Sequence, residues 1–207
     1  MYKILIVMMF FCMASVNAEE KKPQEKVQKK ILALGDSLTE GYGVDPKYSY
    51  PSLLEQKLQK NGYDYKVING GVAGSTTASG KSRLKWFLKA KPSHLILALG
   101  ANDGLRGLKI EDSKKNLEGV ILMAQEEKIQ VIIAAMQMPP NYGAEYREKF
   151  KQVYFDLAKK YKLKLIPFML KGVAGKKEFN IEDGIHPNSK GYNIVTENIY
   201  KAIKEYL

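Results

Sequence analysis

Cysteine is almost absent from this 207-residue sequence, which contains a single one, Cys12. One thiol cannot build a disulfide framework or supply a cysteine-based metal site, so disulfide-rich proteins and proteins stabilised by a cysteine-bound metal are both excluded. A chain of this length buries roughly 70% of its unfolded surface, so it needs neither disulfides nor a metal for stability. We therefore expect one ordinary globular domain held together by its apolar core.

No apolar run reaches the roughly 20 residues that a membrane-spanning helix needs. A shorter run, Ile4 to Ala14, follows Lys3 and ends shortly before the small residue Ala18. This order predicts a secretory signal over residues 1–18, cleaved after Ala18, with retention as a membrane anchor as the alternative. The polar segment 19–30 predicts a mobile leader. The protein would then be periplasmic or secreted in a bacterium.

Acidic residues are too few to balance the basic ones: 33 Lys and Arg face 22 Asp and Glu, a formal net charge of +11. Such an excess is compatible with nucleic acid or an anionic membrane as partner. The lysines are spread over helix-like segments and are not concentrated with aromatic residues in one stripe. We therefore expect a solvated basic surface, a monomer and no nucleic-acid partner, with transient contact to an anionic membrane surface left open.

Five short apolar runs alternate with longer amphipathic stretches, without any internal repeat. The runs have strand length and are rich in Ile, Leu and Val, as strands of a parallel sheet are when helices cover both faces. Their bounds are Ile31 to Leu34, Tyr65 to Ile68, His94 to Leu99, Ile129 to Ala135, and Leu163 to Phe168. The alternation predicts a doubly wound α/β domain over residues 31–207, with ligands bound beyond the carboxyl ends of the strands.

Ser37 stands directly after the first predicted strand, in the stretch "GDSL". A serine hydroxyl is a weak nucleophile and needs a base within hydrogen-bond reach, held in turn by a third group. Histidine, the most frequent such base, occurs only twice. We expect His94, at the start of the third run, to be a surface residue, whereas His186 follows Asp183 by three residues in "DGIH". Asp183 either orients the His186 ring or caps the last helix, and the spacing leaves both open.

Two further stretches end other predicted strands, "NGGVAGST" at residues 69–76 and "LGANDG" at residues 99–104. Attack on a carbonyl needs hydrogen-bond donors aimed at the oxyanion that develops. Gly74 offers a backbone N–H and Asn102 a side-chain amide, although each residue taken singly is equally typical of a turn. Together with the serine, aspartate and histidine above, they form a chemically complete set at one edge of the predicted sheet.

The stretches "GDSL", "GVAGST", "GAND" and "DGIH", in this order, resemble the four blocks of the SGNH, or GDSL, hydrolase family over residues 31–207. The resemblance implies a flavodoxin-like three-layer α/β/α fold with a five-stranded parallel sheet. It also implies a carboxylic ester hydrolase that uses neither a metal nor an organic cofactor. The residue roles implied are a catalytic triad of Ser37, Asp183 and His186, and an oxyanion hole of Ser37, Gly74 and Asn102.

Within that family, "GANDGLRG", "PPNYG" and "DGIHPN" look most similar to the periplasmic multifunctional esterases with thioesterase, protease and lysophospholipase activities. The substrate implied is a small acyl ester or thioester, such as an aryl ester, a lysophospholipid or an acyl-CoA. A carbohydrate acetyl esterase of the same family is the alternative. Leu105, Arg106, Tyr142 and the loop 171–181 are candidates for the acyl pocket, and each could equally be rim packing.

Three other classes of protein compete with this interpretation. "GSTTASGKS", residues 74–82, looks like a phosphate-binding loop, but the first glycine of that motif would fall on Ser75. An α/β-hydrolase requires a G-x-S-x-G elbow, which the sequence lacks. A binding protein that has the fold without the activity would not need the complete set of five functional residues.

Overall fold

The computed structural model describes residues 28–207. They contain five strands: β1 (Lys29–Gly35), β2 (Tyr65–Gly71), β3 (His94–Ala98), β4 (Gln130–Ala134) and β5 (Lys164–Ile166). All pair in parallel, in the order β2-β1-β3-β4-β5. The predicted signal, residues 1–18, and most of the predicted leader lie outside the described residues. Because β1 begins at Lys29, the last two residues of the segment 19–30 belong to the domain and not to a leader.

Seven α-helices follow the strands within the described part of the chain. They are α1 (Ser37–Glu40), α2 (Tyr50–Lys60), α3 (Gly80–Phe87), α4 (Ala101–Leu105), α5 (Ile110–Glu126), α6 (Ala144–Tyr161) and α7 (Ser189–Ile203). Helix α2 packs against α7, whereas α3, α5 and α6 pack in series. Right-handed crossovers place these two groups on opposite faces of a sheet with this strand order. The predicted three-layer α/β/α sandwich with five parallel strands is confirmed.

The sheet lies at the centre of the apolar core because helices cover both of its faces. The side chains from Ile31 to Leu34 and from Leu95 to Ala98 are completely buried, which explains why these runs are unbroken by polar residues. Strand β5, at one edge of the sheet, has only three residues and is partly exposed. Within residues 28–207, no helix combines the length and the apolar character that crossing a membrane requires.

The chain passes from β1 to its neighbour β2 and then crosses to β3 on the other side of β1. The strand order therefore reverses at β1 and β3, and their carboxyl ends border the crevice in which doubly wound sheets bind ligands. Ser37 follows the end of β1 by two residues, and Asn102 lies just beyond the end of β3. The fold thus places Ser37 and Asn102 together at the carboxyl ends of the two central strands.

His94 is the first residue of β3 and therefore lies at the amino ends of the strands, opposite the predicted site. It is buried. Its Nδ1 is 2.9 Å from Ser93 Oγ and its Nε2 is 3.3 Å from the carbonyl oxygen of Tyr206. Burial lowers the pKa of His94, which keeps the ring neutral near pH 7. The prediction that His94 is a surface residue is wrong, because the C-terminal turn covers the amino end of β3.

Candidate active site

Ser37 is the first residue of α1, directly beyond the end of β1. Asp36 caps this short helix, since its Oδ1 accepts the backbone N–H of Leu38 at 3.1 Å. The turn from strand to helix is so tight that a Cβ on Gly35 would lie 1.9 Å from Thr39 Oγ1. Only glycine fits there, so the sequence Gly-Asp-Ser presents a hydroxyl group immediately above the end of the strand.

His186 lies between Ser37 and Asp183. Its Nε2 is 2.8 Å from Ser37 Oγ, and its Nδ1 is 2.6 Å from Asp183 Oδ2. Because a carboxylate can only accept, Nδ1–H donates to Asp183, and Nε2 is left to accept the proton of the serine hydroxyl. The structure thus brings the three residues of the predicted triad into one hydrogen-bonded chain.

Asp183 is held by the loop that it shares with His186. Its Oδ1 accepts the backbone N–H groups of Ile185 and His186, each at 3.0 Å. Burial acts to raise the pKa of Asp183, but the hydrogen bonds from the His186 ring and the two N–H groups outweigh it, so the pKa lies below its ordinary value. The cap of α7 is Asn188, whose side chain accepts the N–H of Gly191 at 3.0 Å. The helix-cap alternative for Asp183 is therefore wrong.

Gly74 and Asn102 line the same cavity as Ser37 and His186. Gly74 has a φ of +72°, in the left-handed region that favours glycine. Asn102 belongs to α4, and its Nδ2 donates to the carbonyl oxygen of Ser75 at 2.9 Å. This bond joins the two stretches that were predicted to supply oxyanion donors. The amide carries a second hydrogen, which is available to a ligand in the cavity.

Asp103, which the sequence patterns did not single out, is buried beside Asn102 and accepts three hydrogen bonds. Thr77 donates its backbone N–H at 2.9 Å and its hydroxyl at 2.5 Å, and Ser113 donates its hydroxyl at 3.2 Å. These bonds join α4 to the segment before α3 and to the start of α5. The signal available in the sequence was a charged residue inside the otherwise uncharged "GAND".

Asp36 is completely buried one residue before Ser37. Burial raises the pKa of Asp36 to about 6, although backbone hydrogen bonds and nearby positive charges act in the opposite direction. No group in residues 28–207 donates a hydrogen bond to its Oδ2. Arg83, which is close by, instead donates from Nη2 to the carbonyl oxygens of Gly35 and Gly70, and so holds the ends of β1 and β2 together.

A cavity of about 660 Å³ opens beside Ser37. Its wall is largely apolar, and several of the side chains come from loops beyond β4 and β5. The apolar side chains of the wall include Leu38, Leu105, Met138, Pro139, Phe168, Leu170, Ala174 and Ile185. A long hydrocarbon group would therefore find apolar contacts next to the serine.

The candidates for the pocket divide into two groups. Leu105 lines the cavity, and so do residues 174 and 175 of the loop 171–181. Arg106 and Tyr142 do not line the cavity, but they hold the backbone of residues that do. Arg106 donates to the Gly74 carbonyl at 3.0 Å, and Tyr142 to the Leu105 carbonyl at 2.9 Å. For these two residues rim packing is the correct alternative, because their polar ends brace the backbone of the wall.

Comparison with known proteins identifies the family of this chain. The model of the GDSL-like Lipase/Acylhydrolase family matches residues 33–194, and the chain belongs to that family of ester hydrolases. It is 36% identical over 185 residues to esterase TesA of Pseudomonas aeruginosa, covering 89% of this chain and 92% of the relative. It is 34% identical over 208 residues to an arylesterase of Vibrio mimicus, covering both chains fully.

A solved structure shows the same fold. The psychrotrophic esterase EstA of Pseudoalteromonas sp., inhibited by monoethylphosphonate, superposes with a TM-score of 0.82 at 29% identity, covering 86% of this chain and 98% of EstA. The phosphate-loop and α/β-hydrolase alternatives are excluded by the family match. In the described part of the chain, no three His, Cys, Asp or Glu side chains are grouped so that they could hold a metal ion.

Proposed function

We propose that this protein is a serine esterase in which Ser37 attacks the carbonyl carbon of an acyl ester or thioester. The observation that carries the proposal is the hydrogen-bonded chain from Ser37 Oγ through His186 to Asp183. Each member has the partner that nucleophilic catalysis requires: the nucleophile has a base, and the base has an orienting carboxylate. The mechanism needs neither a metal nor an organic cofactor.

In the first step, His186 Nε2 takes the proton of Ser37 Oγ as the new C–O bond forms. Asp183 stabilises the imidazolium, and the oxyanion of the tetrahedral intermediate accepts hydrogen bonds from the N–H groups of Ser37 and Gly74 and from the Asn102 amide. His186 then donates its proton to the leaving alcohol or thiol. Water repeats the sequence on the acyl-enzyme, which releases the acid and restores the serine.

The apolar cavity favours acyl chains longer than acetyl. Met138, Phe168 and Leu170 line the same cavity as Ser37, and an acetyl group would leave most of the 660 Å³ unfilled. Acyl thioesters and lysophospholipids carry an apolar chain on the acyl side of the reactive carbonyl, and aryl esters carry an apolar ring on the alcohol side. An apolar wall beside the serine suits all three classes. A carbohydrate acetyl esterase would instead need polar groups around the alcohol side of the ester.

Substitution of the nucleophile tests the mechanism. We expect Ser37→Ala to retain the melting temperature of the parent protein and to lose nearly all p-nitrophenyl ester hydrolysis. An organophosphonate should add its mass to the parent protein at Ser37 and leave Ser37→Ala unlabelled. Ser82→Ala, which removes an exposed hydroxyl on α3, is the matched control and should behave like the parent. Normal turnover by a folded Ser37→Ala variant would refute the proposal.

A series of p-nitrophenyl esters from acetate to palmitate tests the substrate class. Each buried methylene stabilises binding by about 0.8 kcal/mol, so kcat/KM should rise roughly fourfold per methylene until the cavity is filled. A maximum at acetate, with a steady fall for longer chains, would instead identify an acetyl esterase.

The proposal extends to the place where the protein acts. Cleavage after Ala18 would release a periplasmic or secreted monomer that makes transient contact with anionic membrane surfaces. N-terminal sequencing of the exported protein and its elution volume on a calibrated column test these points. An intact N-terminus in the membrane fraction would contradict export by cleavage, and an elution volume of a dimer would contradict the monomer.

A further inference from the structure

One face of α3 combines the single tryptophan of the sequence with a row of lysines. Trp86 is 60% exposed despite its large apolar side chain. Lys81 and Lys85 lie four residues apart in α3, and Lys89 follows four residues later in the 3₁₀ turn that continues the helix. At helical spacing the three lysines share with Trp86 an arc of about 140°. We call these four residues the α3 basic face. The expectation that no stripe combines lysines with an aromatic residue is wrong for this helix.

The orientation of the α3 basic face is fixed by the opposite side of the helix. Leu84 is completely buried and points into the core, while the three lysines are exposed. Lys89 continues the helix in a 3₁₀ turn, and its Nζ lies 3.6 Å from the centre of the Trp86 ring. The positive charge and the aromatic ring therefore form one exposed unit.

The charge of this face is not balanced by the protein. No carboxylate in residues 28–207 lies within 4 Å of Lys81, Lys85 or Lys89, whereas lysines of other helices are paired with acidic residues. The stretch from residue 65 to residue 102 contains six basic residues and no acidic one. Like charges four residues apart destabilise a helix, so this arrangement is costly unless an anionic partner is bound.

We propose that the α3 basic face docks the protein onto an anionic lipid bilayer. Lysine ammonium groups are attracted to the phosphates of an anionic surface, and the flexible lysine stems allow each charge to reach a headgroup. Tryptophan prefers the interface between headgroups and hydrocarbon, where its apolar ring and polar N–H are both satisfied. Duplex DNA would also attract the lysines, but its bases are already stacked on one another, so it would offer the exposed ring no apolar layer to enter.

Docking through α3 leaves the cavity beside Ser37 open. Helix α3 begins at Gly80, next to Leu99 at the carboxyl edge of the sheet, and then runs away from that edge. The α3 basic face therefore lies on the outer surface of one helical layer, whereas the cavity opens at the carboxyl ends of the strands. A bound protein would keep the cavity close to the bilayer surface, where apolar esters concentrate. The docking specifies the membrane contact proposed above and does not depend on the proposed esterase activity.

The emission of the only tryptophan reports docking directly. Vesicles of phosphatidylglycerol should shift the Trp86 emission to shorter wavelength at low ionic strength and sediment the protein. Vesicles of phosphatidylcholine should do neither, and 0.5 M salt should release the protein, because exposed charges are screened within a few ångströms at that concentration. An unchanged emission spectrum with phosphatidylglycerol, or an equal response to phosphatidylcholine, would overturn the proposal.

A pair of charge-matched variants separates the face from the overall charge. Lys85→Glu/Lys89→Glu should weaken sedimentation with phosphatidylglycerol at least tenfold, since each lysine near an anionic surface contributes roughly fivefold. Lys60→Glu/Lys190→Glu, which has the same net charge but alters α2 and α7, should stay within twofold of the parent. Equal losses in both variants, or binding of duplex DNA without binding of lipid, would contradict the proposal. Hydrolysis of p-nitrophenyl acetate should be unchanged in both, which shows that they are folded.

Discussion

A buried carboxyl group next to Ser37 makes the stability of this protein depend on pH. The pKa of Asp36 is about 6 in the folded chain and 3.8 in the unfolded chain. Between these values the unfolded chain releases the proton and the folded chain keeps it. The free energy of unfolding attributable to Asp36 therefore falls as pH rises from 3.8 to 6, by about 3 kcal/mol in total.

Asp36→Asn removes this ionisation while keeping an oxygen that can accept the Leu38 N–H. We expect the variant to be more stable than the parent at pH 7 to 8, by up to about 3 kcal/mol, and to lose that advantage at pH 3 to 4. Urea unfolding of both proteins across this range measures the difference. Because other groups titrate equally in the two proteins, a difference that does not change with pH would contradict the argument.

The role we propose for Asp183 is to orient His186, since Asn188 and not Asp183 caps α7. Asp183→Asn keeps an Oδ1 acceptor for the two backbone N–H groups but favours the wrong tautomer of His186. In a serine protease the same exchange lowers kcat about 10⁴-fold. We expect a loss of that order with an unchanged melting temperature, measured by single-substrate kinetics and thermal unfolding. A variant that turns over like the parent would show that the carboxylate does not assist the base.

At the scale of elements, Asp103 ties α4 to the segment that carries Gly74. Asp103→Asn would replace one acceptor oxygen by a donor, so one of the buried groups of Thr77 or Ser113 would lose its partner. We expect a loss of about 1–3 kcal/mol in unfolding free energy and a lower kcat, because both proposed oxyanion donors, Gly74 and Asn102, would move. Urea unfolding and kinetics measure the two effects. A full rate with reduced stability would mean that the tie is structural only.

The elements of this fold differ in how far local sequence specifies them. Each of the five apolar runs overlaps one strand. For the central strands β1, β3 and β4 the reason is that burial on both faces requires continuous apolar residues. The single-turn helices α1 and α4 have no such pattern and exist because strand ends and loops hold them. Ser37 and Asn102 could be placed because they adjoin strand ends. The cavity wall could not, since Met138 and Phe168 come to line one cavity only through the packing of separate loops.

At the scale of the whole molecule, the two ends of the parallel strands differ in role. The cavity lies at the carboxyl ends of the strands, and the C-terminal turn covers their amino ends. There, Tyr63 and Tyr65 donate their hydroxyls to the carbonyl oxygens of Lys204 and Leu207, and His94 contacts the carbonyl of Tyr206. The burial of His94 thus depends on a residue 112 positions later, which explains why its local sequence was misleading.

Deletion of residues 204–207 should therefore separate stability from activity. We expect a lower melting temperature, since His94 and Tyr65 lose their partners and their cover, equivalent to roughly 1–3 kcal/mol. At a temperature where the shortened chain is folded, kcat and KM for p-nitrophenyl esters should match the parent. A reduced kcat in the folded truncated protein would show that the two ends of the strands are coupled.

The separation of Ser37 from His186 along the chain, 149 positions, also has a consequence for biogenesis. During synthesis the serine emerges early, whereas the histidine follows after every strand has been made. On the proposed mechanism, hydrolysis begins only after β5 has joined the sheet and α7 has packed against α2. After dilution from denaturant, the rate at which turnover recovers accordingly measures the last step of assembly, whereas far-ultraviolet circular dichroism measures helices that form earlier. The activity of the enzyme therefore indicates when folding is complete.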